Sequence, residues 1–312
     1  MKIVIVGPGA LGCLVAASIK NKMPDEVWLL DRLPERAKSL KDAGLKVEGV
    51  SGSYSVKMDA TSDPKDIGRA DLVIICVKSY STEDACRQIK DIVGEETSVV
   101  TLQNGIGNVQ VLNDNFGPER VMAGITNHGA TLIGTGHVRH AGKGDTIIGK
   151  ADGRLSGALK SVSAIFTKAG FVNKITKDID SAIWSKLVIN VGINALTAVT
   201  RLNNGKLVLH EESRALLRAA VQEAARVVKR KRIKLAYDDA IQKVESVAKA
   251  TGLNVSSMLQ DVLNRKRTEI DFINGAIVRQ AKSLGIPAPV NEVLAGLVKT
   301  IESSYEESKN NE

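Results

Sequence analysis

Aromatic side chains are scarce in this sequence. Phe, Trp and Tyr together make up 3% of its 312 residues, so the core must be built mainly from Val, Ile, Leu and Ala. Proteins that bind single-stranded nucleic acid without sequence preference stack the bases on aromatic side chains. The scarcity therefore argues against that class of protein.

Cysteine is also rare, at three residues. Cys13, Cys76 and Cys86 are an odd number, and their spacing matches neither a disulfide framework nor a metal site. We expect them to be reduced thiols in a cytoplasmic protein. No group of His, Cys, Asp and Glu has the spacing of metal ligands, so we assign no metal.

No stretch of the sequence resembles a membrane-spanning helix. The apolar opening, residues 1–6, is far shorter than the roughly 20 residues that a membrane-spanning helix needs, and it stops at Gly7. No signal-peptide cleavage pattern follows it. We therefore expect a cytoplasmic location and no membrane partner.

Positive charge exceeds negative charge, with 43 Lys and Arg against 35 Asp and Glu, for a net charge of +8. A basic surface can attract nucleic acid, anionic membranes or small anionic ligands. The densest basic run, residues 226–234, follows a long helical pattern and is typical of a solvated helix end. We expect no nucleic acid partner.

The first half of the chain alternates short apolar runs with helical patterns. Residues 11–19 have a helical pattern, and four apolar runs have the pattern of buried strands, namely residues 3–6, 27–30, 72–77 and 98–102. This alternation predicts a Rossmann-type, doubly wound and mostly parallel sheet. The glycine-rich segment 124–149 predicts hairpins that extend this sheet, and residues 171–175 predict its last strand.

The second half is helical in pattern from Asp178 onward, and it contains no proline until Pro287. Apolar residues recur at helical spacing over three stretches, residues 183–199, 214–228 and 270–281. The sequence therefore predicts two domains: an α/β dinucleotide-binding domain over residues 1–177 and an all-helical, substrate-binding and catalytic domain over residues 178–312.

A glycine motif lies directly between the first strand and the first helix. It has the form G-x-G-x-x-G and comprises Gly7, Pro8, Gly9, Ala10, Leu11 and Gly12. In such motifs the first glycine permits a tight turn, the second lets a pyrophosphate approach the backbone, and the third lets helix pack on strand. The strand-turn-helix context predicts dinucleotide binding.

Three side chains bear on the choice between NADH and NADPH. Asp31 follows the second strand, where an acid usually accepts a hydrogen bond from the ribose 2′-hydroxyl, which favours NADH. Arg32 and Lys78 could instead pair with the 2′-phosphate of NADPH. The pattern leaves both cofactors open.

Polar residues form a stripe on an otherwise apolar helix. Lys186, Asn190 and Asn194 are each four residues apart and drift by only about 40° per step around the helix. The stripe could face solvent, or it could form a polar site in a cleft. The pattern alone leaves both readings open.

The same helix resembles the signature helix of the ketopantoate reductase family. Further segments are similar to family motifs in order and spacing, and they are residues 103–105, 128–130, 203–205, 256–261 and 267–275. The last motif, which reads Arg-Thr-Glu-Ile-Asp-Phe-Ile-Asn-Gly, is long and specific. The resemblance runs from residue 1 to about residue 300.

The resemblance implies roles for individual residues. Lys186 would be the general acid that protonates the substrate carbonyl oxygen, and Glu269 would lie beside the reacting oxygen and the cofactor. Asn104 would contact both ligands, and Ala130 would line the cofactor. The substrate would be held by a further set, Asn190, Asn194, Asn204 and Ser257.

The resemblance implies reduction of 2-dehydropantoate to (R)-pantoate with NADPH, a step in pantothenate and coenzyme A biosynthesis. Two alternatives remain from the sequence alone: a reductase of another small 2-oxo acid or imine, and a non-catalytic NADPH-binding regulator. The substrate partner would be a small 2-oxo acid, and the sequence leaves a homodimer open.

Overall fold

A computed structural model describes residues 1–307 of the chain. The chain divides into two compact units. The first comprises residues 1–103 and 107–179, and the second comprises residues 104–106 and 180–312. The second unit therefore uses two separate pieces of the chain, and residues 308–312 of the predicted helical domain lie outside the described residues.

The first unit combines twelve strands with five helices in its described residues. The strands are β1 (Lys2–Val6), β2 (Glu26–Leu30), β3 (Leu45–Gly49), β4 (Tyr54–Val56), β5 (Asp59–Thr61), β6 (Ala70–Ile75), β7 (Val93–Thr101), β8 (Val121–Thr126), β9 (Gly129–Gly134), β10 (His137–Gly142), β11 (Thr146–Gly149) and β12 (Asn173–Thr176). The helices are α1 (Ala10–Lys22), α2 (Pro34–Ala43), α3 (Thr82–Ile89), α4 (Asn108–Phe116) and α5 (Gly157–Lys168).

Eight strands form the main sheet, in the order β12-β11-β8-β7-β6-β1-β2-β5. All neighbours are parallel except β8 and β11, which are antiparallel. The central strand β1 is buried along residues 3–6, as expected of a parallel strand covered on both faces. These observations confirm the predicted Rossmann-type, mostly parallel sheet.

A second sheet of four strands, in the order β4-β3-β10-β9, was not predicted. Segment 124–149 was expected to form hairpins that extend the main sheet, and its strand β11 does pair with β8 there. The expectation was wrong for the hairpin of β9 and β10, which joins this second sheet. Strand β10 pairs in parallel with β3, which lies about ninety residues earlier in the chain. A local glycine and alternation pattern indicates a hairpin, but it contains no information about such a distant partner.

The second unit is helical in its described residues, which confirms the predicted class. Its helices are α6 (Ile179–Thr200), α7 (Glu211–Arg230), α8 (Ala240–Ala250), α9 (Ser257–Leu263), α10 (Asn274–Ser283) and α11 (Pro289–Glu307). Two short 3-10 turns, Asn204–Val208 and Ile270–Phe272, lie between them. The predicted helix over 270–281 is thus a 3-10 turn followed by α10.

Helix α6 corrects one expectation about hydrophobic runs. It has 22 residues, and its mean hydropathy reaches 1.4, so by length and composition it could cross a membrane. Its most apolar stretch is 72% buried within the fold, and its buried residues belong to the hydrophobic core shared with α7, α8 and α10. This is the behaviour of a core helix.

Candidate active site

The glycine loop of the first unit is shaped by two close approaches. Gly7 has a φ of +85°, and a Cβ there would lie 2.5 Å from the side chain of Val77. A Cβ on Gly12 would lie 2.4 Å from the carbonyl oxygen of Gly7. Only glycine fits at either position, because the turn and the helix pack so closely.

Gly9 has a different environment, because a Cβ built on it would meet nothing within 4 Å. Gly9 is the N-cap of α1, and its backbone is extended, a conformation open to any residue. The first turn of α1 carries no acidic residue. Open space at a helix N-terminus fits a pyrophosphate, because the first backbone amides of a helix have no partner within the helix and its N-terminus favours negative charge.

The other residues of the loop have structural contacts. Ala10 and Leu11 form the first turn of α1 and pack partly against the core of the first unit. The carbonyl oxygen of Pro8 accepts a hydrogen bond from the Cys13 thiol at 3.2 Å. Burial raises the pKa of that thiol to about 12, so Cys13 is an unreactive neutral thiol at physiological pH.

Asp31 follows β2, but its carboxylate is buried and already has partners. The Leu33 amide donates to one carboxylate oxygen at 3.0 Å, and the Arg36 guanidinium forms an ion pair with the other. Arg32 is exposed, and Lys78 lies partly buried after β6, next to β1 in the sheet. Three cationic residues, Arg32, Arg36 and Lys78, thus follow β2 and β6, the two strands that flank β1. Dinucleotides bind at the carboxyl ends of such strands in this type of fold.

Ala130 lies in β9, in the second sheet, opposite His140 of β10. His128 Nδ1 and His140 Nε2 are 2.9 Å apart, and the other ring nitrogen of His140 bonds the Ser51 hydroxyl. Burial lowers the pKa of His128 to about 4, so its ring is neutral at physiological pH. The two histidines thus connect β9, β10 and the loop after β3.

In the second unit, Lys186 and Glu269 are electrostatically coupled. Burial lowers the pKa of Lys186 to about 8, and the negative charge of Glu269 opposes that shift. Glu269 is buried, at 5% exposure, immediately before the 3-10 turn Ile270–Phe272. A lysine near pH 8 can be protonated at rest and can also release its proton, which an ordinary lysine with a pKa of 10.5 does far less readily.

Asn104 belongs to the short piece of chain that the second unit takes from the first half. Its side-chain amide donates to Glu269 at 3.5 Å, and the Ile106 amide donates to the Phe272 carbonyl at 3.3 Å. Gly105 between them has a φ of +81°, and a Cβ there would lie 2.4 Å from that same carbonyl. The turn therefore places Asn104 beside Glu269.

Buried amides follow Lys186 along α6 and continue in the turn after it. Asn194 is only 5% exposed, and Asn190 is partly buried. Asn204, at 8% exposure, donates to the Thr251 hydroxyl at 2.9 Å, and its carbonyl oxygen has no hydrogen-bond partner among the described residues. A buried amide oxygen without a partner is costly, which is consistent with a ligand that supplies the missing donor.

Ser257 begins α9, and its side chain is exposed. The neighbouring Ser256 bonds the Thr197 hydroxyl of α6 at 2.6 Å. Thr197 in turn donates to the carbonyl oxygen of Asn194 at 2.9 Å. The start of α9 is therefore anchored to the same part of α6 that carries Asn194, and the stripe on α6 does not simply face solvent.

Two contributors were missed by the sequence analysis. Arg36 pairs with Asp31 from one turn into α2, and Thr197 connects α6 to α9. Neither belongs to a motif. An arginine five residues after the acid could have been noticed as a local ion-pair candidate, whereas the bond from Thr197 to Ser256 spans 59 residues and has no local signal. Among residues 1–307, no group of three potential metal ligands occurs.

Two family models match the chain. The model described as "Ketopantoate reductase PanE/ApbA" matches residues 3–153, and its C-terminal counterpart matches residues 178–302. A curated relative, the 2-dehydropantoate 2-reductase of Archaeoglobus fulgidus, is 37% identical over 97% of this chain and 98% of its own length.

Solved structures agree with these matches. A PanE/ApbA family ketopantoate reductase from Ralstonia eutropha JMP134 is 35% identical, covers 97% of this chain and 99% of its own, and has a TM-score of 0.89. A D-mandelate dehydrogenase solved with NADH and anilino(oxo)acetate is 27% identical, with coverage of 97% and 99% and a TM-score of 0.90.

Proposed function

Since the chain belongs to the ketopantoate reductase family, we propose that it reduces 2-dehydropantoate to (R)-pantoate with NADPH. The observation that carries this proposal is the pair of Lys186 and Glu269, in which burial lowers the lysine pKa to about 8 while the carboxylate keeps it from falling further. The pair has the charge and the proton that carbonyl reduction requires at the substrate oxygen.

NADPH held by the first unit would supply the hydride that reduces the carbonyl carbon. As the C=O bond is reduced, negative charge develops on the oxygen, and the ammonium of Lys186 stabilises that charge and donates its proton. The lysine then regains a proton from water. Glu269 keeps Lys186 charged before the reaction, because its own negative charge raises the lysine pKa against the effect of burial.

Asn190, Asn194, Asn204 and Ser257 hold the carboxylate and hydroxyl groups of the substrate in this proposal. Their amides and hydroxyl offer donors and acceptors that a 2-oxo acid needs. The buried carbonyl oxygen of Asn204 lacks a partner among the described residues and suits a substrate hydroxyl donor. The side-chain amide of Asn104 donates to the Glu269 carboxylate, so Asn104 lies beside the proposed catalytic glutamate.

The first unit fits the cofactor. The open space against Gly9 admits the pyrophosphate, and Ala130 lines the cofactor in this proposal. For the 2′-phosphate we propose Arg32, Lys78 and the newly recognised Arg36. Because Asp31 is already bonded by Arg36 and by a backbone amide, its charge is compensated and does not repel a phosphate.

A steady-state assay tests the proposal. Purified protein is given ketopantoate and a panel of other 2-oxo acids, with NADPH and NADH in separate reactions. We expect ketopantoate with NADPH to give the highest kcat/KM. A higher kcat/KM for another 2-oxo acid would transfer the proposal to that substrate, and no turnover of any of them would overturn it. Lys229→Ala, which replaces an exposed lysine at the end of α7, is a control that should not change activity.

The relatives favour ketopantoate over the alternative of another 2-oxo acid, because curated relatives at 35–37% identity over nearly the whole chain have the name 2-dehydropantoate 2-reductase. The D-mandelate dehydrogenase structure is less similar in sequence. As further parts of the proposal, the enzyme acts in the cytoplasm on a small-molecule substrate, and it needs neither nucleic acid nor a membrane. Sedimentation or light scattering of the purified protein would test whether it assembles as a homodimer.

A further inference from the structure

Three buried polar side chains are linked by hydrogen bonds through the core of the second unit. Glu223 of α7 is 4% exposed, and both Asn291 of α11 and Asn274 of α10 are 0% exposed. None of the three belongs to the substrate or cofactor residues proposed above. Buried polar groups are costly unless they are hydrogen-bonded, and an apolar core would have avoided that cost. Their presence here requires an explanation.

The carboxylate of Glu223 caps the start of α11. It accepts hydrogen bonds from the backbone amides of Val290 and Asn291, both at 3.0 Å, and from the Asn291 side chain at 2.7 Å. The first amides of a helix have no partner within the helix, and its N-terminus favours negative charge. Glu223 therefore fixes α7 to α11.

The same carboxylate sets the orientation of two amide side chains. Asn291 uses its NH₂ group for Glu223 and for the Ala220 carbonyl at 3.0 Å, so its oxygen must face Asn274. Asn274 donates to that oxygen at 3.0 Å and to the Val191 carbonyl at 3.1 Å. Each amide has only one orientation that satisfies these bonds.

This row of hydrogen bonds reaches α6 at Val191, next to the proposed substrate-binding residue Asn190. Val191 directly follows Asn190 in α6, and Asn274 starts α10 directly after the segment that begins with Glu269. One path of hydrogen bonds thus connects the substrate-holding helix with the segment that carries Glu269.

We propose that Glu223, Asn291 and Asn274 are positioning residues that hold α6 and the Glu269 segment in the alignment that catalysis needs. This inference rests on the proposed function. A directional hydrogen bond fixes register, whereas apolar packing alone permits small shifts of one helix along another. A misplacement of about 1 Å at a reacting group can cost on the order of 10²-fold in rate.

The test replaces the polar links with apolar groups of equal atom count. The double variant Asn274→Leu with Asn291→Leu removes the side-chain hydrogen bonds of both asparagines. It leaves Glu223 with its two backbone donors. The single variant Glu223→Gln is a smaller change, since it replaces one carboxylate oxygen with an NH₂ group. The Val290 and Asn291 amides then face either that NH₂ group or an amide oxygen, which is a weaker acceptor. Val227→Ala, which removes buried apolar atoms from the same helix as Glu223, is the matched control.

Each variant is assayed for kcat and KM with ketopantoate and NADPH well below its melting temperature, and its Tm is measured. We expect the double variant and Glu223→Gln to lose at least about tenfold in kcat/KM, mainly through kcat. Val227→Ala should lower Tm yet stay within about twofold of the wild-type kcat/KM.

A merely structural role predicts a different pattern, in which the polar variants lower Tm like Val227→Ala and keep the wild-type kcat/KM. That pattern overturns the inference, and if the double variant does not fold, Glu223→Gln alone decides. Failure of the proposed function is visible separately, because then the wild-type protein itself reduces no 2-oxo acid. If the wild type prefers another 2-oxo acid, the same comparison is made with that substrate.

Discussion

The pKa of Lys186 predicts how the reaction depends on pH. A lysine with a pKa of about 8 is about nine-tenths protonated at pH 7 and about one-tenth protonated at pH 9. If Lys186 is the general acid, kcat/KM is constant below pH 7 and falls about tenfold per pH unit above pH 8. An ordinary lysine, with a pKa of 10.5, would keep the rate constant to about pH 10.

Glu269 determines where that alkaline limb lies. Its negative charge raises the pKa of Lys186, so Glu269→Gln should move the limb to lower pH as well as reduce the rate. Lys186→Arg keeps the positive charge but cannot release a proton at these pH values. It should therefore be slower than the wild type and show no limb near pH 8.

The assay measures initial rates of NADPH oxidation between pH 6 and pH 10 at constant ionic strength. Lys186→Ala should lose roughly 10²–10⁴-fold in kcat at saturating substrate, while NADPH affinity by fluorescence titration stays unchanged. The control variant Lys229→Ala should reproduce the wild-type profile. A wild-type rate that stays constant up to pH 10, or an alanine variant that keeps more than about a tenth of kcat, refutes Lys186 as the general acid.

Three further predictions concern the ligands. Gly9→Val should abolish NADPH binding without lowering Tm, since a Cβ at Gly9 meets no protein atom. Gly7→Val should lower Tm, because a Cβ at Gly7 meets Val77. Equal Tm losses for the two variants in differential scanning fluorimetry would contradict this. Arg36→Ala should reduce the NADPH:NADH ratio of kcat/KM by roughly tenfold, because it removes a cation and uncovers the Asp31 carboxylate. Asp31→Ala should raise that ratio, because it removes an acceptor for the ribose 2′-hydroxyl of NADH, and an unchanged ratio in both variants would place the 2′-phosphate elsewhere. Asn204→Ala should raise KM for ketopantoate by about tenfold with a smaller change in kcat, and the reverse split would assign Asn204 to the transition state.

Much of the fold was predictable because its signals are local. The strand, glycine turn and helix around Gly7 and Gly12 follow one another within 22 residues, and the helical period recurs over the three stretches 183–199, 214–228 and 270–281. The strands β3, β4 and β5 were missed, although residues 45–49 and 54–58 alternate apolar and polar side chains. The sheet of β3 and β4 depends on pairing between β3 and β10, which no local pattern encodes, whereas the three-residue β5 pairs with β2 at the edge of the main sheet.

The candidate site was predictable to a different extent. Lys186 and Asn194 could be placed on one helix face from their spacing, and the resemblance to a family supplied Glu269. The environment of these residues could not be predicted, because burial and charge arise from segments far apart in the chain. The pKa of Lys186 depends on Glu269, which lies 83 residues later in the chain.

The origin of the second unit in two pieces of chain has a consequence for folding during synthesis. Asn104 leaves the ribosome 165 residues before Glu269, its partner within the same unit. At about 5–20 residues per second, that interval is roughly 8–33 s. The first unit can acquire its sheet during this time, but segment 104–106 must wait. A fragment that starts at residue 180 lacks this segment, so it is not a faithful isolated second domain, and a fragment that ends at residue 179 keeps the segment without the residues that it contacts.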